Sequence, residues 1–281
     1  MKTLITGSKG MLGRTIVRKL KDLEVIGVDL CNFDIVDAAA VKSAFDTIKP
    51  AVVVHCAAQT AVDACESSHD SAFSVNAIGT ANVAHAANIR NARLIYISTD
   101  YVFSGDSDEP YVEWDAVGPL TVYGRSKLAG EEAVRVHCPN HAILRIAWLY
   151  GQGGPSFYHT MKRLGGKTGE ALRVVNDQVG NPTSTDSLVP VIRQFMEKEY
   201  VGTFHTTCEG EATWYEFTKA IFELTGARRD VIPCSSQEYP RPAPRPRNSR
   251  LENMAMRLCG MPKMPHWRQA LTSFVEEYPN D

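Results

Sequence analysis

Thr3-Leu4-Ile5-Thr6-Gly7-Ser8-Lys9-Gly10-Met11-Leu12-Gly13 reads as four β-prone residues, a glycine turn and the start of a helix whose apolar positions Leu12, Ile16 and Leu20 recur at four-residue spacing. A strand, a glycine turn and an amphipathic helix in that order make a cradle for phosphate. Small residues let the backbone approach a pyrophosphate, and the free N–H groups and dipole of the helix N-terminus offset its charge. The spacing is G-x-x-G-x-x-G, with Ser8 where the G-x-G-x-x-G dinucleotide fingerprint has its second glycine. Gly7, Gly10 and Gly13 are therefore candidate cofactor residues; the alternative is a turn that only reverses the chain. Asp29 closes the second β-rich run, where a carboxylate can accept hydrogen bonds from an adenosine ribose. That favours NAD, but Lys9 and Arg14 can soften the repulsion of a 2′-phosphate, so NADPH and NADH both remain open.

Outward from this turn, β-rich runs alternate with helical patterns to residue 148. The strands expected are Thr3 to Thr6, Glu24 to Val28, Ala51 to Cys56, Arg93 to Ser98 and Ala142 to Ala147. Runs such as Val52-Val53-Val54 are apolar throughout, as strands covered on both faces must be. The pattern predicts an α/β fold with a Rossmann-like, doubly wound parallel sheet over residues 1–150. A smaller C-terminal substrate-binding lobe is expected over 151–281, with the chain crossing between the two. In that lobe we expect helices over Asp186 to Glu199 and Trp214 to Leu224, a strand near Thr203 to Thr206 and a terminal helix after Pro265. The proline-rich run Pro240 to Pro246 cannot be helical.

With 281 residues, 44% hydrophobic and 22% charged, the chain has an ordinary globular composition and can bury a sizeable core. Its 30 basic and 32 acidic residues give a formal charge of -2, which implies neither nucleic acid nor a membrane as partner. No run is long and apolar enough to span a bilayer, and no signal peptide is visible. The cysteines are scattered without a C-x-x-C pair, so reduced thiols and a cytoplasmic location are expected. His137 and His141 are separated by Pro139, and no metal site is expected there.

The chemistry is written in two further places. The fourth strand runs into Ser98-Thr99-Asp100-Tyr101-Val102-Phe103, and Tyr123-Gly124-Arg125-Ser126-Lys127 opens a helix. Tyr123 and Lys127, four apart, share one helical face. A lysine ammonium beside the phenol is expected to lower its pKa and make it a usable proton donor. Thr99, at the carboxyl end of a parallel strand, could hydrogen-bond the same substrate carbonyl and polarise it. Tyr and Lys at this spacing also arise by chance on exposed helices; the glycine turn and the strand-end threonine set this pair apart.

On Gly7 to Gly13, Thr99, Tyr123 and Lys127, the chain resembles the extended short-chain dehydrogenase/reductase superfamily. A narrower resemblance rests on Cys56 to Asp63, Val75-Asn76-Ala77, Ser98 to Phe103, Asp177 to Thr183 and Arg245 to Ser249. With these it resembles the dTDP-4-dehydrorhamnose reductase family over essentially the whole chain. The resemblance implies hydride delivery from NADPH or NADH to a dTDP-4-keto sugar. It implies cofactor contacts from Gly10, Met11, Leu12, Asp29, Asp34, Ile35, Ala58, Gln59 and Thr60, with Tyr123 and Lys127, and substrate contacts from Asp100 and Trp148 beside Thr99. Arg245 is the candidate for the substrate's diphosphate, in a segment that could equally be a solvated loop; Trp148 could equally be core. The family's Arg-Thr-Ser/Ala-Trp is Arg145-Ile146-Ala147-Trp148 here, and its Gly-x-Asn-Asn-Phe is Gly153-Gly154-Pro155-Ser156-Phe157. Some relatives bind magnesium at a dimer interface through an acidic residue; Thr15 stands there, so no metal is expected, and the chain is expected as a monomer or homodimer. Rival readings are another sugar-nucleotide reductase, an epimerase or a dehydratase, and a regulatory subunit that keeps the fold without the activity. Tyr101 disfavours dehydration, since such dehydratases carry Glu after the Thr-Asp pair.

Overall fold

The computed structural model describes residues 1–167 and 169–281. Its centre is a six-stranded sheet in which β1 (Thr3–Thr6), β2 (Val25–Val28), β3 (Val52–His55), β4 (Arg93–Thr99) and β5 (His141–Ile146) are joined by Gly202–His205. All the pairings are parallel. Alternate residues of each strand point to opposite faces, and both faces are covered. Ile5, Val54, Ile95 and Leu144 enter one core with Leu12, Ile16 and Leu20; Leu4, Val53, Leu94 and Ile143 enter the other with Val41, Phe45 and Val83.

From one edge the strand order is Gly202–His205, β5, β4, β3, β1, β2. Chain connections therefore diverge between β1 and β3, opening a crevice at the carboxyl ends of the strands. The helix Met11–Lys19 begins on one side of that crevice, and the helix Val122–His137 crosses the sheet's other half.

One expectation is corrected. The helix Thr185–Glu197 and the strand Gly202–His205 do not belong to a separate lobe but complete the main sheet. Gly202 to His205 pair in parallel with Ala142 to Arg145. Leu188, Val189, Ile192 and Phe195 of the helix are buried in the same core as Ile5 and Ile16. Covering the open edge of β5 and the apolar side of β4 is what draws the segment back.

The remaining C-terminal chain builds small sheets over the crevice. Leu172–Val175 pairs with Val231–Cys234, and Val179–Gly180 lies between Ala212–Thr213 and Asn248–Ser249. The helix Trp214–Thr225 starts with a capping box from Thr213 and Glu216 and stops at Gly226 in a left-handed conformation. Pro240 to Pro246 is neither helix nor strand. No helix among the described residues is long and apolar enough to cross a membrane.

Candidate active site

A cavity of about 990 Å³ runs along the carboxyl edge of the sheet, from the glycine turn after β1 to Trp214. Ligand sites typically hold about 300–1,000 Å³, so this one has room for a large ligand.

At one end the turn is packed shut. Gly7 has φ +66°, and a Cβ on it would lie 2.7 Å from the backbone nitrogen of Ala57; a Cβ on Gly13 would lie 2.3 Å from the Gly7 carbonyl. Gly10 caps the helix Met11–Lys19 without a side chain, so the first-turn N–H groups have no side-chain acceptor. Gly7, Gly10, Met11, Leu12 and Gly13 all line the cavity. Asp29 lines it too, its carboxylate accepting from the Lys9 and Leu30 N–H groups at 2.8 and 2.9 Å. Asp34 and Ile35 continue the wall, as do Ala58, Gln59 and Thr60 after β3. A backbone cradle at a helix N-terminus, followed by a carboxylate at a strand end, fits a dinucleotide. Lys9 and Arg14, also in the lining, leave room for a 2′-phosphate.

Asn76, which the sequence marks only within Val75-Asn76-Ala77, ties this wall to the helix Val122–His137. It donates to the Gln59 carbonyl and to Ser126 Oγ at 3.1 and 2.9 Å, and accepts from the Gln59 N–H at 2.8 Å. Ser126 in turn donates to the Tyr123 carbonyl at 2.8 Å.

Thr99, Tyr123 and Lys127 share the middle of the cavity. Thr99 ends β4, donates to Asp100 Oδ1 at 2.8 Å and accepts from the Tyr101 N–H at 3.2 Å. Burial raises the Tyr123 phenol above its usual pKa, and the Thr99 hydroxyl opposes that rise. Lys127 donates to the Ile97 carbonyl at 2.7 Å and lies 4.0 Å above the Tyr96 ring. Burial pushes its ammonium down to about 7, against the pull of Glu131 one turn further along. The expected lowering of the Tyr123 pKa by Lys127 does not appear: burial raises it, the charge of Asp100 adds to the rise, and only the Thr99 hydroxyl acts against it. The phenol stays fully protonated at neutral pH.

At the other end Asp100 and Trp148 line the cavity. Trp148 has φ +46° and stacks on Trp214, with ring centroids 3.3 Å apart and planes within 5°. Gly180 makes room for the stack, since a Cβ there would lie 2.4 Å from the Trp148 ring. Trp214, read from sequence only as the start of a helix, also lines the cavity and donates from Nε1 to Gln178 Oε1 at 3.1 Å. Gly153, Gly154 and Pro155, where the family's amides are missing, lie near the cofactor turn: Arg14 donates to the Gly153 carbonyl at 3.3 Å. Arg245 is not among the lining residues; its guanidinium pairs with Asp63 at 2.9 Å, and its charge is felt by Tyr101. Thr15 is buried and donates to Thr185 Oγ1 at 3.1 Å. Among the described residues no three His, Cys, Asp or Glu side chains converge as metal ligands.

Comparison with known proteins gives the site a family context. The family model described as RmlD substrate binding domain matches residues 1–280. A dTDP-4-dehydrorhamnose reductase of Streptomyces griseus is 41% identical over 98% of this chain and 92% of its own. A crystal structure of a dTDP-4-dehydrorhamnose reductase from Clostridium acetobutylicum is 45% identical with TM-score 0.96, over 99% of this chain and 100% of that one. Another, from Bacillus anthracis in complex with NADP, is 38% identical with TM-score 0.96 over the same shares.

Proposed function

The chain belongs to the RmlD substrate binding domain family, and from that premise we propose that it reduces the C4 keto group of dTDP-4-dehydro-L-rhamnose to give dTDP-L-rhamnose. It is an NAD(P)H-dependent oxidoreductase acting on a dTDP-4-keto sugar. The observation that carries the residue assignment is the sharing of one cavity by Thr99, Tyr123 and Lys127 with the glycine cradle.

The bound cofactor supplies a hydride to C4. Tyr123 gives its phenolic proton to O4 as the alkoxide forms, so that hydride and proton together convert carbonyl to alcohol. Lys127, its ammonium anchored on the Ile97 carbonyl, offsets the charge left on the phenolate. Thr99 stabilises O4 through its hydroxyl. Gly7, Gly10, Met11, Leu12, Gly13, Asp29, Asp34, Ile35, Ala58, Gln59 and Thr60 hold the dinucleotide. Asp100 and Trp148 hold the sugar, and Arg245, next to Tyr101, is assigned the diphosphate. The C-terminal segments outside the main sheet supply the wall at this end, including Trp214 stacked on Trp148.

Purified protein mixed with dTDP-4-dehydro-L-rhamnose and NADPH, and separately NADH, is expected to consume nicotinamide absorbance and yield dTDP-L-rhamnose. No consumption with either cofactor would overturn the proposal.

A further inference from the structure

A threonine hydroxyl has one proton and two lone pairs, and at Thr99 the direction of its hydrogen bonds decides what it can do. The Tyr101 N–H occupies one lone pair at 3.2 Å. The 2.8 Å contact with Asp100 Oδ1 runs from Thr99 when Asp100 is a carboxylate, and its direction reverses if Asp100 carries a proton on that oxygen. If Asp100 is ionised, Thr99 must donate to it, and no proton is left for a substrate oxygen. Thr99 would then offer the cavity a free lone pair, able to compete with O4 for the Tyr123 proton. If Asp100 is a carboxylic acid, its O–H fills the second lone pair, and the Thr99 proton is free to turn onto the substrate.

The surroundings of Asp100 suit the acid. It is 5% exposed, and its Oδ2 is buried without a hydrogen-bond partner, which is costly for a carboxylate and much less so for the carbonyl oxygen of a neutral acid. Burial lifts its pKa to about 6, while the hydroxyls of Ser249 and Thr99 and the N–H groups of Asp100 and Tyr101 pull the other way. No ammonium or guanidinium is among those groups. The titratable groups that sense it are Tyr101 on its own turn and Tyr123 on the helix Val122–His137, with the Asp63–Arg245 pair acting on Tyr101.

We propose that Asp100 works as a neutral acid that donates to Thr99 Oγ1, so that Thr99 and Tyr123 both present their protons to the C4 oxygen of the keto sugar. Asp100 is in this respect a positioning residue, acting through Thr99, in addition to any contact it makes with the sugar. The inference rests on the reductase reading.

The test is the pH dependence of kcat in wild type, Asp100→Asn and Asp100→Ala. A group titrating near 6 costs about eightfold between pH 5.5 and pH 7, and Lys127, titrating near 7, costs about twofold over the same range in every variant. Wild type should therefore fall by roughly tenfold or more. Asp100→Asn, whose amide is a permanent donor to Thr99, should fall only about twofold. Asp100→Ala, with no donor, should be impaired at every pH. A wild-type profile that stays flat, or an Asp100→Asn profile as steep as wild type, overturns the proposal. Infrared difference spectra of wild type minus Asp100→Asn supply a readout that needs no turnover. A carboxylic-acid C=O band should be present at pH 5.5 and lost by pH 8; its absence at every pH overturns the proposal. If wild type fails to reduce the keto sugar, the reductase reading falls, and the infrared titration still decides the state of Asp100.

Discussion

Tyr123 has a phenol whose pKa is raised by burial, and this suits the direction of the reaction. A reduction needs a proton delivered, and a phenol that is never ionised at rest always carries one. In the proposed mechanism Lys127 matters at the moment the proton leaves: its ammonium would lower the energy of the phenolate formed, while the ground-state phenol sees mainly desolvation. Replacing Tyr123 by Phe removes only the hydroxyl, and kcat is expected to fall by roughly 10² or more, far beyond any change in the NADPH dissociation constant. Steady-state kinetics with a fluorescence titration of the cofactor check this. Comparable losses in both quantities would mean that Tyr123 serves binding instead. The spacing of Tyr123 and Lys127 singled them out only together with the glycine turn and Thr99, and it could not give the electrostatic sign, because spacing carries no information on burial.

The helix Val122–His137 is tied to the sheet by a buried carboxylate. Glu131 accepts from Nε and Nη2 on one edge of the Arg145 guanidinium on β5, at 2.9 and 2.8 Å, and from Ser98 Oγ on β4 at 2.6 Å. Burial alone would raise its pKa, but Arg145 and Ser98 more than offset this and hold the carboxyl below its ordinary range. Its contribution to stability is therefore present above the unfolded-state pKa and lost as pH falls through the lower folded value. Glu131→Gln leaves Arg145 buried without its counter-charge and is expected to cost about 3–5 kcal/mol in urea unfolding near neutral pH; a loss below about 1 kcal/mol would contradict the account. On the opposite wall, the two-residue strand Val179–Gly180 is the floor under Trp148. Gly180→Ala places a methyl in the indole ring and is expected to raise the KM for the sugar nucleotide by tenfold or more, with little effect on NADPH affinity. Equal effects on both ligands would show that Gly180 supports the fold and not the sugar end. These elements differ in how far sequence reveals them. β1 to β5 are β-prone runs of at least four residues with an apolar centre, and each was found within a residue at its ends. The strand Gly202–His205 was found as an element but not in its sheet, since its partner β5 lies far back in the chain and parallel pairing leaves no local mark. The two-residue strands that position Gly180 and Trp214 are too short to carry any periodicity.

Across the whole molecule, the proposed division of labour is between a sheet edge for the dinucleotide and the C-terminal segments outside the main sheet for the sugar end. The cavity draws lining from both, from Gly7 to Trp214. A ligand that binds only this folded arrangement stabilises it by mass action, about 2.7 kcal/mol at a concentration of 100 times its dissociation constant. NADPH should accordingly raise Tm, and dTDP added on top should raise it further; a dTDP effect that appears only in the absence of cofactor would contradict two separate ends in one cavity. The most direct measurement follows the hydrogen itself. With NADPH carrying deuterium at the transferable position of the nicotinamide, the protein should convert dTDP-4-dehydro-L-rhamnose to dTDP-L-rhamnose labelled at C4 alone, one deuterium per nicotinamide oxidised. Unlabelled product, or label at any other carbon, would contradict the chemistry assigned to Thr99, Tyr123 and Lys127.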